Sequence, residues 1–259
     1  MDLIESGTRT FEVGSRHPWE RARLALVARL IRRHLALRPG DVALDVGCGD
    51  SFVAEELARQ HPGVMFFAVD SAFSDDLMQT FSARLTVPNV RLFKSLDDVP
   101  VDRPVSLVLL MDVIEHVPED LAFLTDVCGR ACVSGTATVL ITVPAYQGLF
   151  SSHDRALGHY RRYSSRTLGA LTRAAGLVPI EAGHLFASLL LLRAAQVARE
   201  RVRPPVDETS QLSTWSGHDQ LGRVLEALLT LDGRLALSLG RLGVKLPGLS
   251  NFAVCRKSA

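Results

Sequence analysis

Two short windows of the sequence hold most of the side chains that could do chemistry. Residues 149–168 are the richest in titratable and hydrogen-bonding groups, which are His153, Asp154, Arg155, His159, Tyr160, Arg161, Arg162 and Tyr163. Imidazoles transfer protons near neutral pH, and guanidinium groups clamp carboxylates or phosphates. The second window is Asp112-x-x-Glu115-His116, which follows a long apolar run and offers two carboxylates and an imidazole. These windows indicate proton transfer, anion binding or a metal site.

A glycine turn indicates nucleoside binding. Residues 45–51, DVGCGDS, lie between a short apolar strand and a helix, where doubly wound folds bind ligands. The pattern of a nicotinamide-binding turn, G-x-G-x-x-G, is incomplete because the third glycine is missing. Asp45 puts a carboxylate at the strand tip, which suits a cationic group, and Asp70 ends the next strand, where an acid can accept hydrogen bonds from two ribose hydroxyls. Together they describe a nucleoside with a positive tail.

The elements that must position these groups alternate between strand and helix. Apolar runs predict strands near residues 41–46, 64–70, 89–94, 104–111, 136–144, 177–184 and 249–257. The alternation predicts an α/β protein with a doubly wound, mostly parallel, seven-stranded sheet that is covered on both faces. An amphipathic helix at 18–37 precedes the first strand, and late helices at 185–202 and 221–242, joined by a polar linker, form an insertion before the last strand.

The motifs LDVGCGDS, AVD and LLMDVIEHVPE, in this order, resemble the class I S-adenosylmethionine-dependent methyltransferases, of the kind called methyltransferase type 11 or ubiquinone-biosynthesis-methyltransferase-like. The resemblance covers about residues 42–183, and Ser51 stands where the family has a third glycine. It implies S-adenosylmethionine as cofactor, with the methionine part near the glycine turn, ribose near Asp70 and adenine after the third strand. The implied cofactor residues are Asp45, Gly47, Cys48, Gly49, Asp70, Ser71, Ser95, Leu96, Met111 and Asp112.

The D-x-x-E-H run also resembles the Glu-x-x-Glu-His run of ubiquinone-biosynthesis O-methyltransferases, in which the acids and the His can hold a divalent cation. Asp112 replaces the first Glu, and our main assignment has no metal; a cation stays an open alternative. We assign Glu115 and His116 as catalytic residues. In the structural alternative, Glu115 satisfies backbone donors and His116 packs under the sheet edge.

Residues 143–164, VPAYQGLFSSHDRALGHYRRYS, resemble a loop of a bacterial methyltransferase subgroup often associated with glycan, lipid-linked or secondary-metabolite pathways. The resemblance implies a wall of the acceptor pocket, with substrate-binding residues Tyr146, His153, His159, Arg161, Arg162 and Tyr163. His153 is also a candidate base. In the structural alternative, His153 and Asp154 cap a turn, Gly158 and His159 hold a bend, Tyr163 packs beneath it and Ser164 caps the next helix. We expect one arginine to pair with an internal acid such as Glu115 and the other to be exposed.

RHPWERAR near the N-terminus resembles the H-x-W-x-x-x-R element of the same subgroup, which would fold as a lid across the site. We therefore treat residues 1–259 as one methyltransferase domain. It divides into an N-terminal helical lid at 1–40, a nucleoside-binding core at 41–184, a helical insertion at 185–247 and a last strand at 248–259. The length of 259 residues fits a single core.

Composition limits the partners. The net charge of +1 gives no global field for nucleic acid, and the four cysteines lack C-x-x-C pairing, so we expect reduced thiols in a cytoplasmic protein. The first twenty residues have no apolar core typical of a secretory signal, and no apolar run reaches the length of a membrane span. The late helices have broad apolar faces that could be core, a homodimer contact, an acceptor tunnel or a peripheral membrane contact.

The sequence thus predicts methyl transfer from S-adenosylmethionine to a small-molecule or lipid-linked glycan acceptor, preferably at oxygen. Such an in-line displacement needs positioning of the reactants, plus a base when the acceptor is a hydroxyl. Methylation of nitrogen or carbon in a small metabolite is the alternative within enzymes. A non-catalytic nucleoside-binding or scaffold protein and a nicotinamide-dependent oxidoreductase are the alternatives from other classes.

Overall fold

The computed structural model describes residues 16–100, 102–203 and 219–257. The first fifteen residues of the predicted lid, the linker at 204–218 and the last two residues lie outside the described part. Within it the strands are β1 (Val42–Val46), β2 (Met65–Val69), β3 (Val90–Phe93), β4 (Val105–Met111), β5 (Val133–Pro144), β6 (Leu177–Leu185) and β7 (Ser250–Lys257). The α-helices are α1 (Pro18–His34), α2 (Phe52–Gln60), α3 (Asp75–Arg84), α4 (Asp120–Gly129), α5 (Ser152–Ala156), α6 (Ser165–Ala174), α7 (Ala187–Val202) and α8 (Asp219–Arg241).

The strands of the described residues form one seven-stranded sheet in the order β3-β2-β1-β4-β5-β7-β6. Strands β1 to β5 pair in parallel with one another, and β7 runs antiparallel between β5 and β6. The predicted doubly wound, mostly parallel sheet is confirmed. Because β1 to β6 all point the same way, their carboxyl ends meet at one edge, which we call the carboxyl edge.

Both faces of the sheet are buried, which is why the strands read as apolar runs rather than alternating patterns. Every residue of β1 is buried. On one face, α1, α2 and α8 pack against the sheet in a core that includes Leu26, Leu57 and Leu237. On the other face, α4 and α6 pack through Leu124 and Leu168.

The sequence misplaced some element ends and missed one helix. Helix α1 ends at His34 rather than near residue 37, because Leu35 is extended (φ −141°) ahead of Pro39. The short helix α5 was not predicted as a helix. It is defined by a capping box, in which Ser151 accepts from the backbone of Asp154 and Asp154 accepts from the backbone of Ser151.

The late helices α7 and α8 carry large exposed apolar side chains, among them Leu191, Leu192, Leu228, Leu231 and Leu235. The buried side of α8 packs on α1, where Gly233 faces Leu26 so closely that a Cβ would lie 2.2 Å from Leu26 Cδ1. Neither these helices nor any other helix in the described ranges is long and apolar enough to cross a bilayer.

Candidate active site

The turn after β1 depends on glycine for its path. Gly47 N and Cys48 N donate hydrogen bonds to Val69 O at 2.8 and 3.1 Å, so the turn is tied to the end of β2. Gly47 has φ +68°, and a Cβ atom there would lie 2.7 Å from Val113 Cγ2. A side chain at this position would therefore meet both backbone strain and a steric clash.

Asp45 and Asp70 are the carboxylates of this turn. Asp45 is buried, its Oδ2 has no hydrogen-bond partner in the described structure, and burial raises its pKa to about 7. Asp70 is half-buried; its Oδ2 accepts from Gly49 N at 2.8 Å and its Oδ1 accepts from Ala72 N at 2.9 Å. A buried oxygen without a donor fits a ligand that brings a donor or a positive charge to Asp45.

The remaining predicted cofactor residues follow β2, β3 and β4 at the same edge. Ser71 is exposed directly after Asp70, and Ser95 begins a 3-10 helix at Leu96–Asp98, where its Oγ accepts from Asp97 N at 3.1 Å. Met111 is the buried last residue of β4. The structure therefore brings every predicted cofactor residue to the carboxyl edge.

Asp112 connects the end of β4 to the N-terminal helix. Its backbone lies in the left-handed region (φ +58°), and its Oδ1 accepts from Thr142 Oγ1 at 3.1 Å. Its Oδ2 accepts from Nη1 of Arg23, and the Arg23 guanidinium lies 4.4 Å above the Trp19 ring. An ion pair with one partner so deeply buried fixes α1 at this edge of the sheet.

The start of α1 is attached to the glycine turn as well. Arg16 Nη2 lies 2.5 Å from Asp50 Oδ2, and the Arg16 guanidinium lies 4.2 Å from the centre of the Phe52 ring. His17 caps the helix by accepting from Trp19 N at 3.1 Å. Of the H-x-W-x-x-x-R element, His17 thus caps α1, Arg23 ties it to Asp112, and Trp19 lies against the Arg23 guanidinium. That α1 acts as a lid stays a prediction.

Glu115 is a fully buried carboxyl group next to the end of β4. Neither of its side-chain oxygens has a hydrogen-bond partner elsewhere in the described structure. Burial, with the nearby Asp112 carboxylate, raises the pKa of Glu115 well above its usual value. The backbone N–H of Glu115 itself acts on the pKa in the opposite direction, which agrees in part with the structural alternative, and the carboxyl group is otherwise available to a ligand or a proton.

His116 and His159 come together although they are 43 residues apart. Their rings meet edge to face with centres 4.5 Å apart. One potential ligand atom from each of Glu115, His116 and His159 lies within 4.8 Å of the others. This spacing could hold a divalent cation, or it could present two imidazoles to one acceptor group.

Asp154 is the centre of a buried network behind His159. Its Oδ1 lies 3.0 Å from His159 Nδ1 and 2.7 Å from Arg162 Nε, and its Oδ2 accepts from Arg193 Nη2 at 3.0 Å and Ser151 N at 2.9 Å. Burial would raise the pKa of Asp154, but the bond to His159 and the charges of Arg162 and Arg193 outweigh it and hold the pKa well below its usual range. An ionised Asp154 selects the tautomer of His159 with hydrogen on Nδ1, which leaves Nε2 as the acceptor nitrogen.

The two arginines and Tyr163 fasten the loop to the body of the protein. Arg162 is buried and pairs with an internal acid, as expected, but this acid is Asp154 rather than Glu115. Arg161 is partly exposed; its guanidinium donates to Pro118 O at 2.5 Å and pairs with Asp120 Oδ2 at 2.9 Å. Tyr163 is buried, and its hydroxyl donates to Asp120 Oδ2 at 2.7 Å.

Tyr146 and His153 are the remaining predicted acceptor residues. Tyr146 has φ +62°, and its ring stacks on the His184 ring with centres 5.2 Å apart. His153 is half-buried on α5, outside the group formed by Glu115, His116 and His159. Gly158, with φ +74°, makes the bend that the structural alternative expected, and Ser164 caps α6.

Sequence reasoning missed the central role of Asp154 and the contributions of Arg23, His184 and Arg193. One signal was available for Asp154, because the spacing S-x-x-D at 151–154 is a helix-capping pattern. Arg193 lies 39 residues away in the insertion, and the sequence offers no sign of that contact.

Comparisons with known proteins agree on the fold. No protein-family model matches the chain. The ubiquinone biosynthesis O-methyltransferase of Xanthomonas campestris pv. campestris (strain B100) is 33% identical over 101 residues, which cover 37% of this chain and 38% of that protein. The match therefore spans little more than a third of either protein.

Three solved structures are similar over most of this chain. A putative sarcosine dimethylglycine methyltransferase from Galdieria sulphuraria has a TM-score of 0.57 at 16% identity, covering 99% of this chain and 96% of that one. The [4+2]-cyclase SpnF has a TM-score of 0.56 at 15% identity, covering 100% of this chain and 91% of that one. The phosphoethanolamine N-methyltransferase 2 of Haemonchus contortus, in complex with S-adenosyl-L-methionine, has a TM-score of 0.54 at 16% identity. The match covers 90% of this chain and 52% of that one.

These structures confirm the fold that the motifs implied, which this chain shares with two proteins described as methyltransferases. Because a protein described as a [4+2]-cyclase shares it, the fold by itself does not fix the reaction. The reaction must be argued from the side chains at the carboxyl edge.

Proposed function

We propose that this protein is an S-adenosylmethionine-dependent O-methyltransferase in which His159, oriented by Asp154, removes the proton from an acceptor hydroxyl. The observation that carries the proposal is the buried Asp154–His159 pair, placed beside His116 and the unpartnered carboxyl group of Glu115. When bound, S-adenosylmethionine supplies a methyl group already activated by a sulfonium. The protein then needs to position the acceptor and to take up its proton.

Two features of the glycine turn support S-adenosylmethionine as the cofactor. The buried Asp45 oxygen without a donor suits the ammonium group of the methionine part, and Asp70 can accept further hydrogen bonds from ribose hydroxyls. Gly47, Cys48, Gly49, Ser71, Ser95, Leu96, Met111 and Asp112 would complete the site. The Haemonchus contortus enzyme, which shares the fold, is described in complex with this molecule.

The roles of the loop residues follow from their contacts. His159 is hydrogen-bonded to a carboxylate that can orient it as a general base. Its proposed role is therefore catalysis, in place of the acceptor binding that the sequence predicted. His116 and Glu115 would contact the acceptor beside it, and His153 and Tyr146 would line the pocket at a greater distance. We assign Arg161, Arg162 and Tyr163 to positioning the loop, since their polar groups are occupied by protein partners.

The acceptor would be a small molecule or a lipid-linked glycan. The name of the Xanthomonas campestris relative supports oxygen as the methylated atom, although the matched residues cover about 38% of that protein. Methylation of an amine that is already neutral would not need the Asp154–His159 pair. Homodimer formation and membrane contact through the exposed faces of α7 and α8 stay predictions.

Cofactor identity is tested first, by calorimetry with S-adenosylmethionine and with NAD in parallel. We expect micromolar binding of S-adenosylmethionine and none of NAD. Binding of NAD alone would favour the oxidoreductase and contradict the proposal. Binding of S-adenosylmethionine with no turnover of any catechol, phenol or sugar derivative, using labelled methyl groups, would favour a non-catalytic binder.

The base is tested with His159→Asn, whose amide can still donate to Asp154. We expect kcat to fall about 100-fold or more, with cofactor affinity within twofold of the wild type. Activity should recover partly as pH rises, because hydroxide replaces the base. His61→Asn, far from the carboxyl edge, is the control. Loss of cofactor binding in H159N, or a pH profile parallel to that of the wild type, would argue against a base at this position.

A cation at Glu115, His116 and His159 is the competing mechanism, supported by the 4.8 Å spacing of their ligand atoms. Treatment with EDTA followed by Mg²⁺ or Zn²⁺ separates the two. Activity unchanged by EDTA supports His159 as base. Loss in EDTA and recovery with the metal would make His159 a ligand instead.

A further inference from the structure

A second cleft lies away from the methyl-transfer site, beside the edge strand β6. It is a cavity of about 460 Å³ between the C-terminal ends of α1 and α8, the second half of β6 and the segment that leads to β7. This volume is in the range of cavities that bind small ligands. None of the predicted cofactor or acceptor residues lines it.

The rim of the cleft carries positive charge that the protein does not neutralise. The only acid in the lining is Glu181, whose carboxylate is already occupied by Arg33 Nη1 at 2.6 Å and His34 Nε2 at 2.5 Å. Arg241 and Lys245 are exposed and form no ion pair within the described part of the chain. When the histidines are counted as neutral, the three cations Arg33, Arg241 and Lys245 and the one anion Glu181 give the lining a formal charge of +2.

The floor of the cleft is apolar. Leu237 and Phe252 are each 2% exposed, and Ala236 lies beside them. At the mouth, Ile180 leaves 40% of its surface in water. A cationic rim over an apolar floor selects ligands that have both an anionic and an apolar part.

We propose that this cleft binds a ligand carrying a phosphomonoester and an apolar group. A phosphomonoester is close to a dianion at neutral pH and therefore matches the rim charge of +2, with Arg241 and Lys245 as its ligands. The apolar part would pack against Ile180 at the mouth, above the buried floor of Leu237 and Phe252. The proposal does not depend on the proposed methyl transfer.

One residue of the cleft contacts a residue of the predicted acceptor wall. His184 lines the cleft, its Nε2 lies 3.2 Å from Ser165 Oγ, and its ring stacks on Tyr146, which follows β5 at the carboxyl edge. The cleft and the acceptor side of the protein thus share one pair of stacked rings.

The test is calorimetric titration of the whole chain with hexyl phosphate, which is soluble as a monomer, and with inorganic phosphate. We expect one site that binds hexyl phosphate more tightly than phosphate. R241Q/K245Q should weaken hexyl phosphate at least tenfold, and I180S should weaken hexyl phosphate but not phosphate. R199Q/R223Q removes two exposed charges elsewhere on α7 and α8 and should stay within twofold of the wild type.

Three results would overturn the proposal: no binding of hexyl phosphate, equal loss in both double variants, or displacement by S-adenosylhomocysteine, which would place the probe in the cofactor site. Vesicles with phosphatidic acid identify the source of the phosphate. Their capture by the wild type but not by R241Q/K245Q indicates a lipid headgroup. Binding of hexyl phosphate without vesicle capture indicates a soluble phosphomonoester, and both results support the site.

Discussion

At the scale of single residues, the carboxyl edge keeps three acids in very different states. Asp45 and Glu115 are buried, each with at least one carboxyl oxygen that has no hydrogen-bond partner elsewhere in the described structure, and burial raises the pKa of each. Asp154 is equally buried but is surrounded by His159, Arg162 and Arg193, which hold its pKa low. Asp45 and Glu115 are thus suited to bind a ligand, whereas Asp154 is a fixed negative charge that orients His159.

Asp45 gives a prediction for stability against pH. Its folded pKa of about 7 lies above the ordinary value of 3.8, so between these pH values the folded chain holds a proton that the unfolded chain has released. The free energy of unfolding therefore falls as pH rises through this window. Asp45→Asn removes this pH dependence. As pH rises from 5 to 8, the free energy of unfolding of D45N should therefore rise by about 3 kcal/mol relative to that of the wild type.

Urea unfolding of the ligand-free protein at both pH values measures this difference. Asp102→Asn, at an exposed acid, should follow the wild type. D45N should also lose most of its affinity for S-adenosylmethionine. A difference between D45N and the wild type that does not change with pH would contradict the assignment.

Ser51 gives a second prediction at this scale, because it adopts φ +63° where the resembled family has glycine. Its buried Oγ donates to Glu55 Oε1 at 2.8 Å. Ser51→Ala and Ser51→Gly both lose this bond, but only alanine keeps the left-handed strain. S51G should therefore be about 1 kcal/mol more stable than S51A in chemical denaturation. Equal stability of the two variants would show that the turn relaxes.

At the scale of elements, helices from both ends of the chain support the site. Helix α1 is tied to the carboxyl edge by the pairs Arg16–Asp50 and Arg23–Asp112. The same helix packs on α8 in the core of one sheet face, through Leu26 and Gly233. Helix α7 supplies Arg193 to Asp154.

The contact between α1 and α8 predicts opposite effects of alanine at two glycines of one helix. At Gly233 a Cβ would lie 2.2 Å from Leu26 Cδ1, whereas at Gly240 nothing lies within 4 Å. G240A should stabilise the protein by about 1 kcal/mol through helix propensity. G233A should destabilise it by about 1–2 kcal/mol, because overpacking exceeds that gain. Thermal unfolding of both variants measures these changes in stability. Stabilisation by G233A would contradict the tight contact between Gly233 and Leu26.

At the scale of the whole molecule, the sequence predicted the parts that local patterns determine. Apolar runs and glycine turns located all seven strands, and strand direction alone places Asp45, Asp70 and Asp112 at one edge. Side-chain partners across long separations were not predictable. One of Arg161 and Arg162 was expected to pair with an internal acid such as Glu115, whereas Arg162 pairs with Asp154. Arg193 was not suspected, because a charged residue on an amphipathic helix usually faces water.

The Asp154 network has a kinetic consequence. His159 is held by Asp154, which is itself held by Arg162 from the same loop and Arg193 from the insertion, 39 residues further along the chain. The sheet and the other helices can form before α7 docks, but Asp154 gains its contact with Arg193 only afterwards. During refolding from urea, we expect far-ultraviolet circular dichroism to recover in an earlier phase than methyl-transfer activity.

Arg193→Met should lengthen this lag several-fold while leaving the earlier phase unchanged, because only the late docking step loses its anchor. Leu192→Met, at an exposed neighbour on the same helix, is the control. Simultaneous recovery of both signals in the wild type would mean that the insertion docks as the sheet forms. With the expected lag, a newly folded molecule passes through a period in which it has its final architecture and is still inactive.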